Sequence, residues 1–168
     1  MLEAVLLVLF PLLMAYAATS DLFTMTIPNR LAIILVATFP IVAYAAGFGM
    51  HAILMNIAAG ALVLTATFTM FALGWIGGGD AKLAAATALW LGFGVLMDYL
   101  LTAAVAGGVL TLSLLALRQV PLPAFASHWR WLTHLHDQKT GVPYGIALAW
   151  AALAVYPSSA IWASALSA

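Results

Sequence analysis

Two aspartates sit in the least ordinary stretches of this chain. Asp21 lies in Ser20-Asp21-Leu22-Phe23-Thr24-Met25-Thr26-Ile27-Pro28-Asn29, and Asp80 closes Gly77-Gly78-Gly79-Asp80. Two carboxyls within hydrogen-bond reach cannot both ionise easily and share a proton. The ionised member can take a proton from water while the protonated one polarises a carbonyl, which is acid–base hydrolysis without a covalent intermediate. The three glycines give an extended peptide room to approach the carboxyl, because a residue without Cβ permits close backbone contact. Gly77, Gly78 and Gly79 are therefore candidate substrate-binding positions, with Lys82 beside them as a group to orient a peptide. A plainer reading of the same residues is a tight turn whose Asp80 N-caps the following helix, and an ordinary loop that exposes Asp21.

The elements that must bring the two acids together are membrane helices. The chain has 168 residues, is 66% hydrophobic and 6% charged, and carries five basic and five acidic groups. Its mean hydropathy of +1.14 is that of a polytopic membrane protein. A formal net charge of zero gives no electrostatic case for nucleic-acid binding. The absence of cysteine removes disulfides, thiolate nucleophiles and Cys-ligated zinc. Neither G-x-x-x-x-G-K-[ST] nor G-x-G-x-x-G fits the glycine run, so a phosphate cradle is not expected.

A spanning helix needs about 20 largely apolar residues. Six candidates run near Leu2–Ala18, Leu31–Phe48, Ala52–Leu73, Lys82–Gly92, Val95–Leu117 and Val142–Tyr156. The first resembles a signal peptide at Ala15-Tyr16-Ala17, but Glu3 and the lack of Lys or Arg before it favour a retained helix. An N-terminus outside the membrane places segments 19–30, 74–82 and 118–141 in the cytoplasm. Those segments hold Arg30, Lys82, Arg118, Arg130 and Lys139, all the basic residues of the chain. The positive-inside pattern thus predicts an all-α polytopic bundle of about six transmembrane helices, both termini outside, as one domain over residues 1–168. It also puts Asp21 and Asp80 at the same membrane face, which a catalytic pair requires.

With those positions assigned, the chain resembles a known family. Asp21 followed by Ile27-Pro28-Asn29, then Gly77-x-Gly79-Asp80-Ala81-Lys82-Leu83, is similar to the prepilin leader peptidases of type IV pilus systems. These are GxGD-type aspartic proteases of the membrane, and the short form resembles those serving Flp (tight-adherence) pili. Val142-Pro143-Tyr144-Gly145 also resembles a family segment that precedes the last helix. The resemblance implies that Asp21 and Asp80 are the catalytic pair, acting without metal or cofactor. It implies a Flp-type prepilin substrate, whose short basic leader is cut after a glycine at the cytoplasmic face of the bacterial inner membrane. The prepilin's apolar helix would dock on the bundle from within the lipid. Thr24, Met25 and Thr26 depart from the pattern, since family members often carry basic side chains there. The cysteine-bearing domain of the long members is missing, and N-methylation of the new amine is not expected.

The remaining polar groups suggest less chemistry. Phe125, Trp129, Leu132 and His136 fall near one face of a helix that would lie on the membrane surface. His128, His134 and His136 lack the defined geometry of a zinc site. Lys82 and Lys139 are also suited to anchoring helix ends, and Glu3 and Asp98 to the outer interface. Gly107-Gly108 suits close helix packing. Two other functions compete with proteolysis. A small proton- or cation-coupled transporter would use the acids for flux. A non-enzymatic assembly subunit would use the glycine turns for packing alone.

Overall fold

The structure is a computed structural model that describes residues 2–122, 128–138 and 140–167. Every regular element among them is helical: α1 (Leu2–Thr24), α2 (Asn29–Ala45), α3 (Met50–Ala72), α4 (Gly78–Leu117), α5 (Arg130–His136), α6 (Tyr144–Val155) and α7 (Ala160–Ser167). A single 3-10 turn, Tyr156–Ser158, joins the last two. Phe125 and Lys139 lie outside the described residues.

Three helices, α1, α3 and α4, are long and apolar enough to cross a membrane. The pair α6–α7 meets the same measure only together, across a bend of 48°. Side chains such as Ile41, Tyr44, Leu112 and Val105 are largely exposed, an apolar exterior matched to lipid. The protein is an all-α membrane bundle.

At the centre stands the first limb of α4. Residues 83–92 are all buried, the one stretch among the described residues covered on every side. α3 approaches it closely at Gly60, where an added Cβ would lie 3.0 Å from Leu89 Cβ. Trp90 fills the middle of the bundle, stacking on Phe10 with ring centroids 5.2 Å apart and donating its indole N–H to the Leu35 carbonyl at 2.9 Å. That bond satisfies a buried donor in an otherwise apolar layer.

The helix breaks at Gly92, whose φ of 66° is left-handed. An unbroken helix of this length would run about 60 Å, twice the thickness of a bilayer core. Asn56 fixes the break by donating its side-chain amide to the Leu89 carbonyl at 3.1 Å. The second limb then returns toward the start of the first. Thr111 bonds the Tyr144 hydroxyl at 3.1 Å, and Gly145 beside it bonds Asp21.

Several boundaries differ from the sequence reading. The expected turn over 92–98 shrinks to Gly92, so Asp98 stands within a helix. The first helix continues past Ala18 to Thr24, because nothing between them breaks it. The final span stops at Val155 ahead of Pro157, and α7 follows it. The expected surface helix is confined to seven residues, and its buried side chain is Leu135 in place of Leu132 or His136. Arg118 ties it down by donating to the carbonyls of Leu135 (3.0 Å) and Gly141 (2.9 Å).

Candidate active site

Asp21 belongs to the buried stripe of α1. Phe10, Met14, Ala17 and Asp21 recur at helical spacing and are all buried, Asp21 to 5% exposure. The stripe that packs the helix onto the core thus ends in a carboxylate. It is neither in a loop nor exposed, contrary to the plainer sequence reading.

The first turn of α6 receives that carboxylate. Gly145 donates its backbone N–H to Asp21 Oδ2 at 2.7 Å, and the Ile146 amide faces the same group. Pro143, the residue capping α6, offers no side-chain cap of its own. Asp21 therefore supplies, from another helix, the acceptor that the free N–H groups of a helix start require.

Asp80 occupies the third residue of α4, after Gly77 at the cap and Gly78 and Gly79 in the first turn. Its side chain reaches back to the Gly77 backbone N–H. This is the reciprocal half of a capping box, one turn later than the N-cap role expected from sequence. A Cβ on Gly77 would stand 2.9 Å from Asp80 Oδ2, so the carboxyl folds back into space that only glycine leaves free.

The two carboxyls lie within electrostatic reach of each other. One comes from the last turn of α1 and the other from the first turn of α4. Ile27 packs between the remaining members of the set. A Cβ on Gly79 would be 3.2 Å from Ile27 Cβ, and one on Gly145 would be 2.7 Å from Ile27 Cδ1. Gly78 makes room instead for the ring of Phe71 at the end of α3.

Lys82 points elsewhere. Its ammonium donates to Asn29 Oδ1 at 2.9 Å, joining the start of α2 to α4. It also borders an apolar cleft of about 720 Å³ between α2 and α3, lined by Val36, Ile57, Gly60, Ala85 and Leu89 among others. Of the six positions singled out in the sequence, Asp21, Asp80, Gly77 and Gly79 converge, while Gly78 and Lys82 face neighbouring helices.

Sequence reasoning gave Gly145 and Ile27 no role at the carboxyls. Each lies within a sequence motif, Val142-Pro143-Tyr144-Gly145 and Ile27-Pro28-Asn29, and that is the signal the sequence carries for them. On the exposed side, Phe23 meets Trp131 edge-on at 5.7 Å, and Trp131 stacks on Trp129 at 6.4 Å.

No curated protein and no solved structure matches the chain. A family model described as the type IV leader peptidase family matches residues 8–112, a stretch that holds both aspartates and the glycine turn while leaving Gly145 beyond its end. That match covers more than half of the chain, which therefore belongs to the type IV leader peptidase family.

Proposed function

We propose that this protein is a membrane aspartic endopeptidase that removes the short leader of a prepilin, with Asp21 and Asp80 as its catalytic pair. The observation that carries the proposal is that carboxyls from α1 and α4 come within electrostatic reach of each other, with glycines of α4 and α6 closely packed around them. In an apolar bundle with five acids, such a juxtaposition costs desolvation and repulsion that packing alone does not call for.

The chemistry follows from one shared proton. The ionised carboxyl takes a proton from water, which attacks the scissile carbonyl carbon. The protonated carboxyl hydrogen-bonds the carbonyl oxygen as it gains charge. Collapse of the tetrahedral intermediate breaks the C–N bond, and a proton passes to the leaving amine. The titration belongs to the pair, so neither residue is assigned one fixed role.

The positive-inside pattern of the basic residues supports a site at the cytoplasmic face of the inner membrane. The leader would arrive from the cytoplasm and the apolar helix of a Flp-type prepilin from the lipid. The cleft between α2 and α3 supports lateral entry, because it is apolar along its length and reaches Lys82, two residues from Asp80. Both carboxyls stand at helix ends, whereas a coupled transporter usually binds its ion near the bilayer midplane.

Coexpression with a Flp-type prepilin, followed by mass spectrometry, tests the reading. The wild type should release the leader, and Asp21→Asn and Asp80→Asn should insert normally and leave the precursor intact. Processing by both single variants at near-native rates would sink the assignment.

A further inference from the structure

Asp21 is 5% exposed, yet a catalytic carboxyl must touch its substrate. Part of what covers it is Ile27. One point, the Cβ position on Gly145, is 2.7 Å from Ile27 Cδ1 and 2.8 Å from Asp21 Oδ2, so both groups crowd the same glycine. On its other side Ile27 closes on Gly79, with only 3.2 Å from its Cβ to the Cβ position there. A single aliphatic side chain thus fills a slot walled by two glycines, one next to each aspartate.

Ile27 sits on a short irregular turn between α1 and α2. Met25 has a φ of 53°, the one left-handed non-glycine among the described residues, and it turns the chain out of α1. Pro28 holds an extended conformation and fixes the entry into α2. Between these ends the turn is held by exposed hydroxyls: Ser20 donates to the Thr26 carbonyl at 2.9 Å, and Thr24 and Thr26 share a 2.7 Å bond. Such bonds exchange readily with water, so local opening leaves the buried core of α1 and α4 in place.

We propose that Ile27 stands in for the substrate: it fills the peptide slot between Gly79 and Gly145 in the free enzyme and swings out as an extended peptide backbone enters. This rests on the protease reading given above and adds to it the location of the slot and a closed resting state. A closed slot keeps water and unrelated peptides from the carboxyl pair. It also makes access depend on a substrate able to displace an aliphatic side chain.

The chain has no cysteine, so a single introduced thiol is an unambiguous reporter. Ile27→Cys combined with Asp80→Asn, in lipid nanodiscs, is treated with a maleimide with and without a full-length Flp-type prepilin. Substrate should speed labelling at position 27 by roughly tenfold, as a half-buried side chain becomes free. Met50→Cys, 71% exposed at the start of α3, the far end of that helix from Phe71 and Gly78, should label at one rate throughout. An unchanged or slower rate at position 27, with wild-type enzyme cutting the same prepilin, overturns the gate and leaves the protease standing. A wild type that cuts nothing overturns both. Should Ile27→Cys fail to fold, a bimane on exposed Thr26→Cys reads the same motion. A spectral shift on adding prepilin supports the gate, and its absence with active wild type overturns it.

Discussion

Asp21 and Gly145 are 124 residues apart in sequence and joined by a 2.7 Å hydrogen bond from the Gly145 amide to the Asp21 carboxylate. The contact makes one side chain serve two ends: it completes the start of α6 and brings a carboxylate to Asp80. A carboxylate fixed by a helix start is a positioned group, which is what acid–base chemistry demands.

That double duty separates two substitutions at Asp21. Asp21→Asn keeps an acceptor for the Gly145 amide but cannot share a proton, so cleavage should fall by about 10²–10⁴-fold or more with little change in melting temperature. Asp21→Ala should lose cleavage and also about 1 kcal/mol of stability, because the helix start is left uncapped. Thermal unfolding in detergent alongside the cleavage assay distinguishes them. Equal melting losses in both variants would show that the carboxylate's role at α6 needs its charge.

Gly145→Ala should damage the site without removing any functional group. The added methyl would meet Ile27 Cδ1 at 2.7 Å and Asp21 Oδ2 at 2.8 Å, so the carboxyl must shift. A displacement near 1 Å at a reacting group costs on the order of 10²-fold in rate. Gly141→Ala, where the methyl meets nothing within 4 Å, is the control and should cleave normally. Comparable rates for the two variants would mean that Asp21 is not held as described.

How much of this was legible in the sequence follows from what each feature depends on. The helical membrane class follows from hydropathy, which is additive along the chain. Motif order and parity of spans lead one to expect Asp21 and Asp80 at one end of the bundle, and there the two carboxyls lie within electrostatic reach. The burial of Asp21 does not follow from either, since it depends on α1 running past Ala18 and presenting residue 21 on the same face as Phe10 and Met14. The capping geometry of Asp80 and the amide of Gly145 are backbone contacts, and no side-chain pattern reports them. Asn56 locking the break at Gly92 was equally invisible, as its partner is the Leu89 carbonyl.

Lys82 offers a test of binding separate from chemistry. Its ammonium is engaged with Asn29, at the rim of the cleft between α2 and α3. Lys82→Met should therefore raise KM for prepilin by roughly three- to tenfold and leave kcat within about twofold, the signature of lost uniform binding. Steady-state cleavage in nanodiscs reads both constants. A fall in kcat with KM unchanged would place Lys82 at the reacting bond instead.

The hardest residue to replace outside the carboxyl pair should be Gly92. Its φ of 66° is strained for any side chain, and a Cβ there would lie 2.6 Å from Asn56 Oδ1. Gly92→Ala thus pays a left-handed backbone penalty of about 1–2 kcal/mol and also presses on the amide that bonds the Leu89 carbonyl. Loss of that bond exposes a polar group in a setting without water, where such groups are costly. The melting temperature should drop by several degrees, and cleavage should fall with it, because the second limb of α4 carries Thr111 to Tyr144 beside the Asp21 contact. Gly94→Ala, two residues on with nothing within 4 Å of its Cβ position, should be neutral or slightly stabilising in the same melt. If Gly92→Ala melts as the wild type does, the reversal of α4 does not depend on the left-handed turn, and the two limbs must be held by packing alone.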